Sequence, residues 1–377
     1  MKVGAGNDPV GGVCLMIWDR QAKGFAAVGA VAIVALMVEG FLLFSRDTAA
    51  PAPVPSPIPT PSPAPTHQQV QGPLLSPFTG KPVKSLQRVL AVKIGNTLPE
   101  RPATGLSKAD IVYVIPVEGG LSRIMAIFSS HYPRVVGPVR SARQDDMKLL
   151  RQFGRPAFAW SGAQPALQPR VEHSRIVDLF AGITSGFYRS FDRAEPYNLY
   201  ARTKTLLRHA RNASVARNIG FKFGPPPPGG RRQKSASVSY PAASFRFTWS
   251  ARQRRWQIWM DGSPAYTTER TRPLSAPTVV IQRVVVGLSP FLEQGPMEPP
   301  FATTVGSGTA LVLRNGREFH AHWSRPKPNG GTTFTTSDGQ PMTFARGAVW
   351  VVYAYGPGSS PDRGGKLVPV GTPLGPH

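Results

Sequence analysis

The chain has 377 residues, with 44 Lys and Arg against 20 Asp and Glu, for a formal charge of +24 at pH 7. Apolar residues make up 41%, which excludes a wholly disordered chain, and the single cysteine excludes an intrachain disulfide. So basic a surface attracts polyanions (nucleic acid, anionic lipid or phosphate-bearing wall polymers), although a GC-rich genome also raises arginine content.

Residues 1–23 are polar and end in Arg20 and Lys23. Gly24 to Phe44 then runs apolar for about 20 residues, the length of a bilayer-crossing helix. Its one acid, Glu39, lies near the outer end, and the preceding basic residues favour a cytoplasmic N-terminus with the body outside. Residues 24–45 are therefore expected to form a single-pass transmembrane signal anchor, with Pro51 after Thr48-Ala49-Ala50 opposing cleavage. Residues 46–72 form a linker in which Ala50 to Thr66 has proline at nearly alternate positions, as a stiff extended spacer would. Anchor, stalk and basic head place the work of the protein at the cell envelope.

Residues 73–223 read as a mixed α/β domain. Strands are expected at Val89–Ile94, Val112–Val117, Ile124–Phe128, Val135–Val139 and Ala157–Trp160. Glu118-Gly119-Gly120 breaks the second of these, since paired glycines admit backbone angles that other residues resist. Arg101 to Lys108 reads as a turn with a short helix. Ser141 to Phe153 is expected to be a helix capped by Ser141, and Tyr197 to Arg211 an amphipathic helix.

Residues 224–240, with Pro225 to Gly230 as PPPPGG, mark a linker, and residues 241–356 turn mostly to strand periodicity. Strands are expected at Ser244–Trp249, Trp256–Met260, Thr278–Val286, Thr309–Arg314, Glu318–Trp323 and Ala348–Tyr355, with Asn315-Gly316 as a two-residue hairpin turn. Residues 357–377 read as a flexible tail. The fold class is α+β: a membrane-anchored chain with a mixed α/β first domain and a smaller, mainly β second domain shaped as a sandwich or barrel.

PVEGGLSRIMAIF from Pro116, followed by GPVRSAR from Gly137, resembles the signature of the YerB-like family of bacterial extracytoplasmic proteins, a domain of unknown function. SPFTGKPV at Ser76 to Val83, RPATGLSKADIVY at Arg101 to Tyr113 and YNLYARTKTLL at Tyr197 to Leu207 extend the resemblance. GREFHAHWSR from Gly316 and SDGQPMTFARGAVWVV from Ser337 resemble the second domain of the same family. The resemblance spans residues 73 to 356 and implies an envelope protein but almost no biochemistry. Relatives are often lipoproteins with a Cys just after the apolar run; here the one Cys, Cys14, precedes it. A second, structural resemblance is to LytR-CpsA-Psr phosphotransferases, which hold a polyprenyl pyrophosphate through arginines with a divalent metal. Arg123 and Pro138-Val139-Arg140 would fill comparable places, but Ser141-Ala142-Arg143 stands where that family has Asp after its arginine.

Arg123, Arg140 and Arg143, with Arg134 as a weaker member, are the best candidates for chemistry. Planar guanidiniums bind phosphate bidentately, and several converging ones would neutralise a diphosphate. They could equally serve as partners for Glu118, Asp145 and Asp146. Glu118 is a candidate general base or metal ligand. Asp145 and Asp146 diverge by about 100° on a helix, so at most one joins a site, with Asp145 the nearer. Ser141 and Asn198 are candidate ligand-binding residues, Asn198 with Tyr200 is expected to cap or line the site, and Tyr197 stands where relatives commonly have His. His320 and His322 share a strand face without a third metal ligand. Ser161-Gly162 lacks the remaining marks of a serine hydrolase.

Two functions follow. The favoured one is a non-catalytic binder of an anionic, phosphate-bearing envelope lipid or polymer. The alternative is a metal-dependent phosphotransferase or hydrolase acting on a pyrophosphate-linked precursor, the one case that calls for a cofactor, a divalent ion such as Mg. Nucleic acid is a poor partner for an exterior protein, and the sequence leaves the oligomeric state open.

Overall fold

A computed structural model describes residues 72–291 and 299–360. The expected cytoplasmic segment, signal anchor, nearly all of the proline-rich linker and the end of the tail lie outside the described residues. Among those described, no helix is long and apolar enough to cross a membrane.

In chain order the strands are β1 (Leu90–Gly95), β2 (Ile111–Pro116), β3 (Ser122–Phe128), β4 (Val135–Val136), β5 (Ala157–Trp160), β6 (Val177–Phe180), β7 (Phe187–Arg189) and β8 (Leu199–Arg202). There follow β9 (Arg231–Arg232), β10 (Ser235–Tyr240), β11 (Ala243–Ser250), β12 (Arg255–Met260), β13 (Ser263–Pro264) and β14 (Ser275–Ala276). The last are β15 (Thr278–Val284), β16 (Val286–Leu288), β17 (Pro300–Ala302), β18 (Gly306–Arg314), β19 (Arg317–Arg325), β20 (Thr333–Thr336) and β21 (Val349–Tyr355). Helices are few and short: α1 (Gln144–Leu150), α2 (Gln168–Glu172) and α3 (Thr203–His209).

One mixed sheet of 11 strands organises the body, in the order β20-β19-β18-β15-β21-β2-β3-β1-β5-β6, with β9 also on β19. β21 runs parallel to β2, Val349 opposite Ile111, and parallel to β15 on its other side. The linker at 224–240 therefore separates two stretches of chain but not two sheets. The expected free-standing sandwich is corrected: strands β15 and β18–β21 extend the first sheet. β10–β14 form a five-stranded sheet of their own, and β16-β17 and β4-β8-β7 form two smaller ones.

Alternation along the central strands sorts side chains between two cores. Leu90, Val92, Val112, Val114, Ile124 and Ala126 face Phe245, Phe247, Trp256 and Ile258 of the small sheet. Ala91, Tyr113, Met125, Ile127 and Phe158 face Leu149, Leu150 and Phe153 of α1 and the turn after it. Lys93 and Arg123 have the parity of this second set, so both point under α1.

Three local expectations change. The helix expected from Ser141 starts later, because Ala142 N–H donates to Gly162 O (2.8 Å) and Ser161 N–H to Arg140 O (3.1 Å), holding residues 140–142 extended beside the end of β5. Arg143 is the N-cap, and the Asp146 carboxylate accepts its amide at 2.7 Å. The helix expected over 197–211 is β8 followed by α3, since Leu199–Arg202 pairs with β4 and β7. The strand expected at 135–139 shrinks to two residues before the Gly137–Pro138 bend. The Asn315-Gly316 hairpin forms as expected, with φ of 51° and 69° and Arg314 opposite Arg317.

Candidate functional site

β1, β2 and β5 run in the same direction, and their C-terminal ends open on one edge of the sheet. In α/β sheets that edge commonly carries ligand sites. The Glu118–Gly120 turn follows β2, Arg123 lies at the start of β3 opposite Gly95, and residues 140–143 lead into α1.

The structure brings Glu118, Arg123 and Arg143 together. Arg123 Nη2 donates to Glu118 Oε1 at 2.9 Å and Arg143 Nε to Oε2 at 2.8 Å, with a further bond from Arg143 Nη2 to Oε1. Arg123 Nη1 also reaches Ser141 O at 3.2 Å. Both arginines are buried, at 9% and 5% exposure. Burial alone would raise the Glu118 carboxyl, but the Arg143 hydrogen bond and the charges of Arg123 and Arg143 outweigh it and lower it to about 2. Burial, together with the neighbouring Arg143 charge, lowers Arg123 to about 10. Two guanidiniums thus share the Glu118 carboxylate.

Arg140 stands at the mouth of this cluster and is half-buried. Its Nη1 lies 3.1 Å from Glu100 Oε1, an ion pair without hydrogen-bond alignment, and donates to Pro196 O at 3.1 Å. Its guanidinium carbon sits 5.5 Å from the centre of the Tyr197 ring. Ser141 is half-buried near Gly162 and offers its carbonyl, not its hydroxyl, to Arg123.

Of the two aspartates, Asp146 is the one bound into the cluster, through the Arg143 amide and through Lys93 Nζ at 2.6 Å, a pair with no exposure at all. Asp145 points the other way. Burial first, then the negative Asp146, raises it to about 7, against a hydrogen bond from the Ala302 amide and the charges of Lys93 and Arg143, which lower it.

The remaining candidates lie apart. Asn198 braces a loop, accepting from Arg189 Nη1 and donating to Ser190 O, each at 2.8 Å. Tyr200 is buried beside Tyr188, with which its ring makes a tilted contact. Arg134 is exposed, and its backbone carbonyl receives the Thr203 amide. His320 and His322 are both exposed on β19, and no group of three or more His, Cys, Asp or Glu gathers among the described residues. Sequence reasoning missed Glu100 and Lys93. Lys93 carried a signal, since a lysine inside the apolar run LAVKIG needs a buried partner. Glu100 carried none.

Comparison with known proteins joins this geometry to a family. Residues 78–216 match the N-terminal domain, and residues 236–351 the C-terminal domain, of a protein family of unknown function, DUF3048. The chain belongs to this family. It is 38% identical over 135 residues to the Bacillus subtilis (strain 168) protein named "Putative lipoprotein YerB", an alignment covering 34% of this chain and 40% of that relative's length. The crystal structure of the YerB protein from Bacillus subtilis superimposes with a TM-score of 0.64 over 74% of this chain and 96% of that one, at 22% identity. At that identity the likeness speaks for the shared fold. Glu118, Arg123, Arg140 and Arg143 all fall within the stretch that matches the N-terminal family domain.

Proposed function

We propose that this YerB-like chain is a membrane-anchored, extracytoplasmic protein that binds an anionic, phosphate-bearing envelope lipid or polymer without chemical turnover. The observation that carries the reading is the convergence of three guanidiniums, Arg123, Arg140 and Arg143, at the strand ends, with the half-buried Arg140 at the mouth. Arg140 is the contact residue, and Arg123 and Arg143 supply positive potential from behind. A phosphate beside them would return the charge balance that burial denies Arg123. The apolar run at 24–44, the proline-rich stalk, the charge of +24 and the name of the Bacillus subtilis relative support the envelope setting. Without a cysteine after the apolar run, the anchor is the span itself and not a lipid.

Binding is preferred to transfer because the acids needed for proton transfer are poorly suited to it. Glu118 is held near 2 by two arginines, far from the pKa of a useful base at neutral pH, and Asp145 is 1% exposed. The test is vesicle co-sedimentation of full-length protein with a polyprenyl pyrophosphate analogue, with and without magnesium, across a salt series. Arg140→Ala is expected to weaken binding about tenfold while leaving the melting temperature nearly unchanged. Equal binding by Arg140→Ala would overturn the reading.

A further inference from the structure

The described residues also form a basic cleft away from the arginine constellation. It lies at the opposite edge of the sheet, where Asp110 leads into β2 and Ala348 into β21, and encloses about 770 Å³. The six residues of β2, about 20 Å of extended chain, separate it from Glu118.

Its walls carry six permanently or nearly permanently charged cations: Lys81, Lys108, Arg252, Arg255, Arg270 and Arg272. They arrive from four separate stretches: the turn before β1, the turn before β2, the β11–β12 hairpin, and the loop between β13 and β14. The convergence is a product of folding: Arg252 and Arg255 belong to a local basic run, RQRR at 252–255, and Lys81, Lys108, Arg270 and Arg272 join it from elsewhere in the chain. Among the described residues, none of the six is in an ion pair. The one carboxylate in the wall, Asp110, is buried, and its Oδ2 is occupied by the amides of Ser129 and Ser130, each at 2.7 Å. Glu269, next to Arg270 in sequence, spends its carboxylate on the Gly105 amide and the Ser107 hydroxyl.

Part of the wall is already set. Arg255 is half-buried, and its Nε and Nη2 donate to Ser275 Oγ (2.9 Å) and Ser275 O (2.6 Å), fixing the plane of the fork. Burial and then the charge of Arg270 lower its pKa, so an anion between the two arginines would relieve both effects.

The size and lining select the ligand class. The volume is many times that of one phosphate, and four sources of positive charge across it call for several anionic groups in series. Polar surface exceeds apolar surface in the lining, whose apolar side chains are those of Pro82, Val83, Ala109, Pro273 and Ala348. Closely spaced, doubly forked recognition by arginine with lysine point charges suits phosphoryl oxygens.

We infer that this cleft is a second binding site, for a linear chain of linked phosphates, and that it is independent of the arginine constellation beyond β2. The test is isothermal titration calorimetry on the full-length protein in mild detergent at 0.15 M salt. The probes are inorganic phosphate, inorganic pentaphosphate, a glycerol-phosphate pentamer and a glutamate pentamer. Pentaphosphate or the glycerol-phosphate pentamer should bind at least tenfold tighter than phosphate, and the preference between them tells an anhydride chain from a diester chain. The exposed pair Arg270→Ala/Arg272→Ala should weaken that binding at least tenfold, whereas Lys84→Ala, an exposed lysine outside the cleft, should not. Equal losses in Lys84→Ala and in the arginine pair would mean generic charge and overturn the site. The glutamate pentamer binding as tightly as the phosphate chains would overturn the phosphate assignment. Loss in Arg140→Ala alone would return all binding to the constellation, overturning the second site while leaving the proposed function intact.

Discussion

Glu118→Gln removes the one carboxylate between two buried guanidiniums while keeping its shape. A carboxyl lowered from its ordinary 4.5 to about 2 contributes about 3 kcal/mol at neutral pH. Breaking a buried pair by removing one partner costs about 3–5 kcal/mol, and the slight exposure of Glu118 places the expectation at the lower end. The sign of the pH dependence follows from a pKa lowered by folding. The contribution is fully present above about 4.5 and drains away as pH falls towards 2, so the variant should lose the most at pH 7 and little at pH 2.5. Urea unfolding of wild type and variant at pH 7, 4 and 2.5 reads both effects. A variant within 0.5 kcal/mol of wild type at pH 7, or a difference independent of pH, would refute the ion cluster as described.

Asp145→Asn should stabilise the protein on the order of 2 kcal/mol at pH 8 and hardly at all at pH 4, because a carboxyl raised by folding costs stability progressively as pH rises from its ordinary value of 3.8 to its folded value near 7, and no more above that; melting temperatures across pH 4–9 check it. Lys93→Met leaves the sealed Asp146 without its cation and is expected to cost about 3–5 kcal/mol in chemical unfolding. Gly316→Ala should cost about 1–2 kcal/mol, since φ is 69° there and a Cβ would meet the Trp249 ring at 2.7 Å; loss of stability without loss of the hairpin register would show as a lower melting temperature with an unchanged circular dichroism spectrum.

The strands were legible wherever apolar residues ran between glycine and proline punctuation, as at Ala157–Trp160 and around Asn315-Gly316. Short-range pattern could not reveal that Val349–Tyr355 pairs with Ile111–Val114, because nothing in either stretch encodes which edge it will meet across more than half the chain. The start of α1 was misplaced for a related reason: the hydrogen bonds that keep residues 140–142 extended go to Ser161 and Gly162, which are distant in sequence. At the candidate site, residue type and spacing brought out Glu118 and the three arginines. They left open whether those arginines are partners of Glu118, as Arg123 and Arg143 are, and they favoured Asp145 where Asp146 joins the cluster. The basic cleft was invisible because its charges are scattered from Lys81 to Arg272.

The position of β21 has a consequence for the birth of the protein. A ribosome delivers residues 111–116 long before 349–355, so β2 waits with one edge open while more than 230 residues follow. An open apolar edge is an invitation to pair with the wrong strand. The two family halves are therefore expected to be poor neighbours for a stop codon: a chain ending before Val349 keeps every residue of the arginine constellation and still lacks the strand that closes its sheet. The last strand to be made is the one that lets the first half finish folding.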